Sequence, residues 1–468
     1  MSDPARDETQ DTITRFLHAL NEDRAADAQH ILDAFPDLPQ RSIHAAAAVA
    51  DTQALAQWLA SDRTLATQPA ADGPEPIIYA SHGALQSLCS VGDEARTRTI
   101  ELLLDAGASP NAFVPIENPP EARIPALYFA CVSGNTAAAR VLLERGVIPN
   151  DGESVYHAAE HNHRDCLALL LAHGADISAR HELWGNTPLY FISGYKETHP
   201  LCASATLGMA WLLTHGADPN ERSDVARQSN GMPGTGETPL HRLVQHGRGV
   251  DVLRLLVDHG ADINLPRHDG KTPLSLAIRT GNAAAADYLA AVGADATALT
   301  AIDLFLGACL RADVGDVRAR VAQQPDLIAS LTAEDRQVIG NAIEAGHAES
   351  VSLMLDLGWS LTDESPWGGT PLHWASWYGR PSIVRLLLTQ GAPVDARDRM
   401  YGSSPLAWCC HGSTFGRPRH DADYLEVLDL LLDSGAERAA SVNRWGELPE
   451  HMASVAVAAR LRGRGFAV

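Results

Sequence analysis

The sequence predicts an all-α solenoid of about 13 helix-turn-helix units with short β-hairpin fingers between them, on three observations. One phrase recurs: an apolar triplet, two or three polar residues, Gly-Ala and a polar turn, as in Leu102-Leu103-Leu104-Asp105-Ala106-Gly107-Ala108, Leu169-Leu170-Leu171-Ala172-His173-Gly174-Ala175 and Leu212-Leu213-Thr214-His215-Gly216-Ala217. Further copies end at Gly260, Gly293, Gly391 and Gly435, with weaker ones at Gly146 and Gly358. A second phrase precedes most of them: Asn186-Thr187-Pro188-Leu189, Thr238-Pro239-Leu240-His241, Thr272-Pro273-Leu274, Thr370-Pro371-Leu372-His373 and Ser404-Pro405-Leu406. Finally, Gly260 to Gly293 and Gly358 to Gly391 each span 33 residues, while Gly293 to Gly358 spans 65, close to twice that. A degenerate copy must therefore lie at about 301–330.

Each phrase has a physical reading. In Thr-Pro-Leu the hydroxyl accepts from the first unpaired backbone N–H groups of a helix, and Pro takes the position that needs no donor. Leu then begins the buried stripe. In the other phrase Gly stops the second helix in a left-handed conformation, and the following Asp or Asn favours a tight turn.

Taken together, G-x-T-P-L-H, two helices and L-L-x-x-G-A-D at a period of 33 residues resemble the ankyrin repeat; Gly270 to Asp295 and Gly368 to Ala392 are two such units. The resemblance implies a stack of L-shaped units, with first helices on a concave side and fingers projecting sideways. It also implies a protein-binding module or scaffold rather than an enzyme.

Along the chain, residues 1–39 carry Ile13, Phe16, Leu17 and Leu20, then Ile31, Leu32 and Phe35, at helical spacing without the finger signature. They read as N-terminal capping helices. Repeats are expected over 40–445, with first helices near 76–87, 125–133, 154–162, 187–194, 238–246, 272–280, 335–345, 370–378 and 404–411. Residues 446–468 read as a C-terminal cap, with Arg460, Arg462 and Arg464 at its last helix end, where cations are favoured. Insertions lengthen fingers at 111–123 and 221–234 and separate the two helices of a unit at 194–204 and 412–423.

Composition excludes other classes. The net charge of −22 makes nucleic acid and anionic membranes poor partners. The start, Met1 to Gln10, is polar and acidic, without the basic and apolar regions of a secretion signal. Seven cysteines without a C-x-x-C pair suit a reducing compartment. The expectation is a cytoplasmic monomer without cofactor or bound metal, holding a protein partner of unknown identity.

Several spellings invite chemistry. His157-Ala158-Ala159-Glu160-His161 matches the H-x-x-E-H pattern of a zinc peptidase helix, but His157 coincides with the T-P-L-H histidine slot of the repeat. Gly231 to Thr238 has P-loop spacing, yet Glu237 stands where a phosphate loop needs Lys. Cys409 and Cys410, beside His411, occupy slots that other units fill with Ala or Ser. His241 and His373 are expected to hydrogen-bond backbone within and between units, while His246, His268 and His420 read as solvated.

The aromatics are less generic. Trp184, Trp367, Tyr401 and Trp445 each precede the Gly of a finger, and Tyr195, Trp377 and Tyr378 fall at the variable end of a first helix. Aromatics there either anchor a partner or stiffen neighbouring fingers. The group around 367–411, with Trp374 and Trp408, is the densest. Arg242, Gln245, Lys271 and Arg279 take comparable variable positions and are expected to supply polar rim contacts. Two alternatives remain open: a small-molecule or catalytic groove near the insertions at 111–123 or 222–234, and a secreted effector that binds host proteins, as some bacterial ankyrin proteins do.

Overall fold

The computed structural model describes residues 4–22, 24–82, 92–116, 122–223, 236–365, 368–416 and 420–466. Trp367, the P-loop-like Gly231 to Thr235 and parts of the insertions at 111–123, 221–234 and 412–423 lie outside them. The chain forms two compact units, Met1–His246 with Arg254–Asp262, and Gly247–Leu253 with Ile263–Val468.

The first unit begins with the two helices expected as a cap, Pro4–Asn21 and Ala25–Ala34. Ile13, Phe16, Leu17 and Leu20 are buried against Leu38, Ala45, Ala48 and Tyr79, whereas Phe35 is exposed. Helix pairs follow, among them Ala126–Val132 with Thr136–Glu144 and Ser154–Glu160 with Arg164–Ala172. One finger forms a true β-hairpin, Phe113–Pro115 against Arg123–Pro125, with Val114 opposite Ile124. The others in the described residues are hydrogen-bonded turns rather than strands. Several are closed by a pair of backbone bonds, as from His181 N to the Asn186 carbonyl and from Gly185 N to the His181 carbonyl, both at 2.9 Å.

The second unit contains the degenerate repeat as an ordinary helix pair, Ala301–Leu310 and Val314–Gln323. It keeps the N-cap Thr but has Ala301 in place of Pro, and its start is held by a capping box in which Thr300 accepts from Asp303 N and the Asp303 carboxylate accepts from Thr300 N. Ala333–Arg336 repeats the device with Thr332 and Asp335. Helices Ile339–Ala345, Pro371–Trp377 and Pro405–Phe415 then succeed one another on one side. Ala348–Asp356, Pro381–Thr389 and Asp421–Asp433 form the second row. One core runs through them, from Phe305 and Val351 through Leu372, Leu387 and Leu406 to Leu428 and Leu461. The last helix, Val455–Gly463, is tied to the row before it as well as capped by charge, since Arg460 donates to Asp429 at 2.5 Å and Arg464 pairs with Asp433.

His373 and Tyr156 show how successive units interlock. His373 Nδ1 lies 3.1 Å from Thr370 N, and its Nε2 lies 3.1 Å from the Ser403 carbonyl, in the next finger. Burial holds its pKa below the ordinary value, so the ring bridges as a neutral group. In the unit at 154 the corresponding residue is Tyr156, whose hydroxyl donates to Asn186 O at 2.6 Å. Asn186 and Ser403 each stand two residues before the Pro of the next helix. The expected placement of His157 in the histidine slot is therefore off by one residue, because Tyr156 reaches the same carbonyl with a longer side chain.

Candidate functional site

The second unit gathers its aromatics where three first-row helices and two fingers meet. Asp398 organises one finger: its carboxylate accepts from Tyr401 N at 2.5 Å, Ser403 N at 2.8 Å and Trp408 Nε1 at 3.0 Å. Trp408 is thereby fixed in orientation and is only 8% exposed. Around it stand Trp374 at 5.2 Å and 79°, Trp377 at 6.1 Å and 75°, and Tyr401 at 6.4 Å and 63°. Near-perpendicular rings form walls instead of a closed stack. The next finger adds Trp445, 64% exposed, whose ring lies 6.0 Å from Tyr401. Asn443 shapes that finger as Asp398 shapes the other, its Oδ1 accepting from Trp445 N at 3.1 Å and Glu447 N at 2.9 Å. The fingers are joined by a bond from Arg444 N to the Tyr401 carbonyl at 2.9 Å.

An insertion completes the wall. Helix Pro405–Phe415 runs 11 residues where Pro371–Trp377 runs seven, so the chain expected to lie between helices instead extends the first one by about a turn. Gly412 permits this, since a Cβ there would lie 2.3 Å from the Trp377 carbonyl. The extension sets His411 5.2 Å from the Trp377 ring and carries Phe415, which is 62% exposed. The result is a cavity of about 490 Å³ lined by Trp374, Trp377, Tyr401, Trp408, Phe415 and Trp445, with Glu447 as its anionic side chain. A second cavity of about 590 Å³ shares Trp374 and adds Tyr378, Arg336, Glu344, Asp363 and Glu364.

Of the residues singled out in the sequence, Trp374, Trp377, Tyr401, Trp408 and Trp445 converge here, Tyr378 lies in the adjoining cavity, and Trp367 lies outside the described residues. The rest have other surroundings. In the first unit Trp184 is half-buried against His181 at 6.0 Å. Tyr195 donates to Glu160, Arg242 lies over the Tyr190 ring at 4.7 Å, and Gln245 ends the helix Pro239–Gln245, half-buried. In the second unit Lys271 pairs with Asp269 at 2.7 Å and Glu334 at 2.9 Å. Arg279 bridges the capping-box carboxylates of Asp303 and, at 2.6 Å, Asp335. It thereby ties neighbouring helix pairs together within the second unit. Phe415, Asn443 and Glu447 were not singled out, although the length of the 412–423 insertion pointed to the first of them.

The other candidate chemistries are absorbed by the fold. His157 Nδ1 lies 2.5 Å from Glu160 Oε2 and its Nε2 3.3 Å from Glu153 Oε2, so both ring nitrogens already face carboxylates. Burial pulls its pKa down, but the two glutamates outweigh this and push it up to about 9. Both ring nitrogens thus donate to carboxylates of the same helix and the residue before it. Among the described residues, no group of three or more His, Cys, Asp and Glu side chains is placed to hold a metal ion. Cys409 and Cys410 are fully buried, and burial raises both thiols far above the range of a reactive thiolate. No helix among the described residues is long and apolar enough to cross a membrane.

A family model described as ankyrin repeats matches residues 89–181, 201–300, 319–398 and 339–444, more than half of the chain. The E3 ubiquitin-protein ligase KEG of Arabidopsis thaliana is 26% identical over 58% of the chain and 17% of its own length. The human transient receptor potential cation channel subfamily A member 1 is 25% identical over 70% of the chain and 32% of its own length. The chain thus spans a third or less of each. The ankyrin repeat domain of human ASB11 is similar at 23% identity and a TM-score of 0.29, covering 60% of this chain and all of that one.

Proposed function

This chain belongs to the ankyrin-repeat family, and on that premise we propose that it is a protein-binding module whose principal contact surface is the aromatic groove of its second unit. The observation that carries the reading is the convergence of Trp377, Tyr401, Phe415 and Trp445 around the pinned Trp408. The family's structural residues are accounted for elsewhere: Leu372, Leu387, Leu406 and Leu428 fill the core, and His373 and Asp398 tie the fingers. Packing the repeat does not require a tryptophan that is two-thirds exposed. Aromatic side chains bury much area at small entropic loss, which suits them to anchoring a partner.

Trp184, Tyr195, Arg242 and Gln245 form at most an auxiliary surface in this reading, and Lys271 and Arg279 act by holding units together. The test is affinity capture with the full chain, comparing wild type with the Trp377→Ala, Trp445→Ala double variant. The reading expects the partners retained by wild type to be lost from a variant with unchanged circular dichroism. Equal retention by the folded variant would remove the groove from the account.

A further inference from the structure

We propose that the cavity between Trp377 and Trp445 receives an arginine side chain from an extended, positively charged segment of the partner protein. The inference rests on the groove being the partner surface and names what occupies it. Three observations carry it. First, the lining combines a wall of indole and phenol rings with Glu447, whose side chain is exposed and whose Oε2 accepts from Asn443 Nδ2 at 2.6 Å. Ring faces attract cations, and a planar guanidinium both stacks on them and donates to a carboxylate.

Second, this chain already makes one such contact at the site: the Arg444 guanidinium lies 5.9 Å from the centre of the Trp445 ring while donating to the Arg399 carbonyl at 2.7 Å. Third, the charge is complementary along the groove. The adjoining cavity is lined by Glu344, Asp363 and Glu364 with one cation, Arg336, and Glu364 also faces the exposed Arg399 at 3.9 Å, so acid still predominates. That arginine is held at the Ile328 carbonyl and over Trp359. The chain as a whole carries −22. His411, on the cavity wall, is kept below its ordinary pKa by burial and adds no positive charge at neutral pH. A segment with an arginine in the first cavity and further basic residues three or four positions away would reach the acidic wall of the second.

The experiment is selection of a random linear peptide library on the full chain, followed by affinity measurement with synthesised peptides. The expected peptides share an arginine and an excess of basic residues. Replacing that arginine by alanine weakens binding at least about tenfold, and replacing it by lysine weakens it less. On the protein side, Glu447→Gln weakens binding about fivefold and Trp445→Ala about tenfold. Both positions are exposed, so folding survives the changes. Acidic or uncharged peptides that still require Trp445 would overturn the arginine assignment and leave the groove as the contact surface. Peptides indifferent to Trp445→Ala would overturn both. A library that yields no enriched peptide would overturn the assignment of a linear basic segment.

Discussion

Glycine and charge show at single positions how closely the units fit. Gly208, inside the helix Cys202–Thr214, stands so that a Cβ would lie 1.8 Å from the Ala159 carbonyl. Gly208→Ala is expected to cost about 1–3 kcal/mol, measured by denaturant unfolding, because backbone must shift to admit one methyl. A neutral effect would mean that the two helices are not in contact there. Arg279 poses the converse case. Its guanidinium satisfies two buried carboxylates, and burial, which would raise the pKa of Asp335, is outweighed by Arg279 and Thr332, leaving it below the ordinary value. Arg279→Ala leaves both acids without a counter-charge, held only by their capping-box bonds, and is expected to cost about 3 kcal/mol. Arg279→Ala combined with Asp303→Asn and Asp335→Asn should recover part of that loss.

His157 gives a dependence on pH with a definite sign. Its folded pKa of about 9 exceeds the ordinary 6.5, so its contribution is fully present below about pH 6.5 and is lost as pH rises through 9. Glu153 and Glu160 are depressed: burial pushes each up, but bonds to His157, and to His181 and Tyr195 respectively, prevail. Their contribution is present above about pH 4.5 and is lost as pH falls below it. The cluster is thus strongest between about pH 4.5 and 6.5. Thermal melting of wild type should fall between pH 7 and 9 more steeply than that of His157→Gln, by no more than about 3 kcal/mol in total. Parallel curves would contradict the assignment.

At the scale of elements, the helices and their order were legible because each signal is local. Thr-Pro-Leu fixes a start, Gly-Ala a stop, and the apolar spacing fixes the buried face, so helices occur at Ile13 to Leu20 and within the expected 301–330 where the spacing puts them. The fingers were less legible. A hairpin and a hydrogen-bonded turn need the same Gly and the same polar residues, and only the spacing of backbone partners separates them. The one-residue error at His157 has a related cause: the slot is defined by reach to a carbonyl in the next unit, which Tyr156 satisfies and a motif keyed to histidine misses. Tyr156→Phe should therefore destabilise by about 1 kcal/mol to the same extent from about pH 5 to 8, whereas the effect of changing His157 should shrink as pH rises towards 9. The aromatic site was half legible. Finger and helix-end positions drew attention to Trp377, Tyr401 and Trp445, but Phe415 and Glu447 join them only because Gly412 lets one helix run on and Asn443 turns the next finger.

For the molecule as a whole, the two compact units divide the roles unevenly. Among the described residues, the first holds Trp58, Trp184 and Trp211, while the second holds Trp359, Trp374, Trp377, Trp408 and Trp445. Tryptophan is concentrated where the proposed partner surface lies, and repeat folds conserve what packs while varying what binds. The most direct measurement places a photo-crosslinking amino acid at Phe415, on the cavity wall, and separately at Ile148, equally exposed in the first unit. The account predicts a partner adduct from position 415 that disappears with Trp377→Ala, and none of that mass from position 148. Adducts formed equally from both positions, or undiminished by Trp377→Ala, would contradict it.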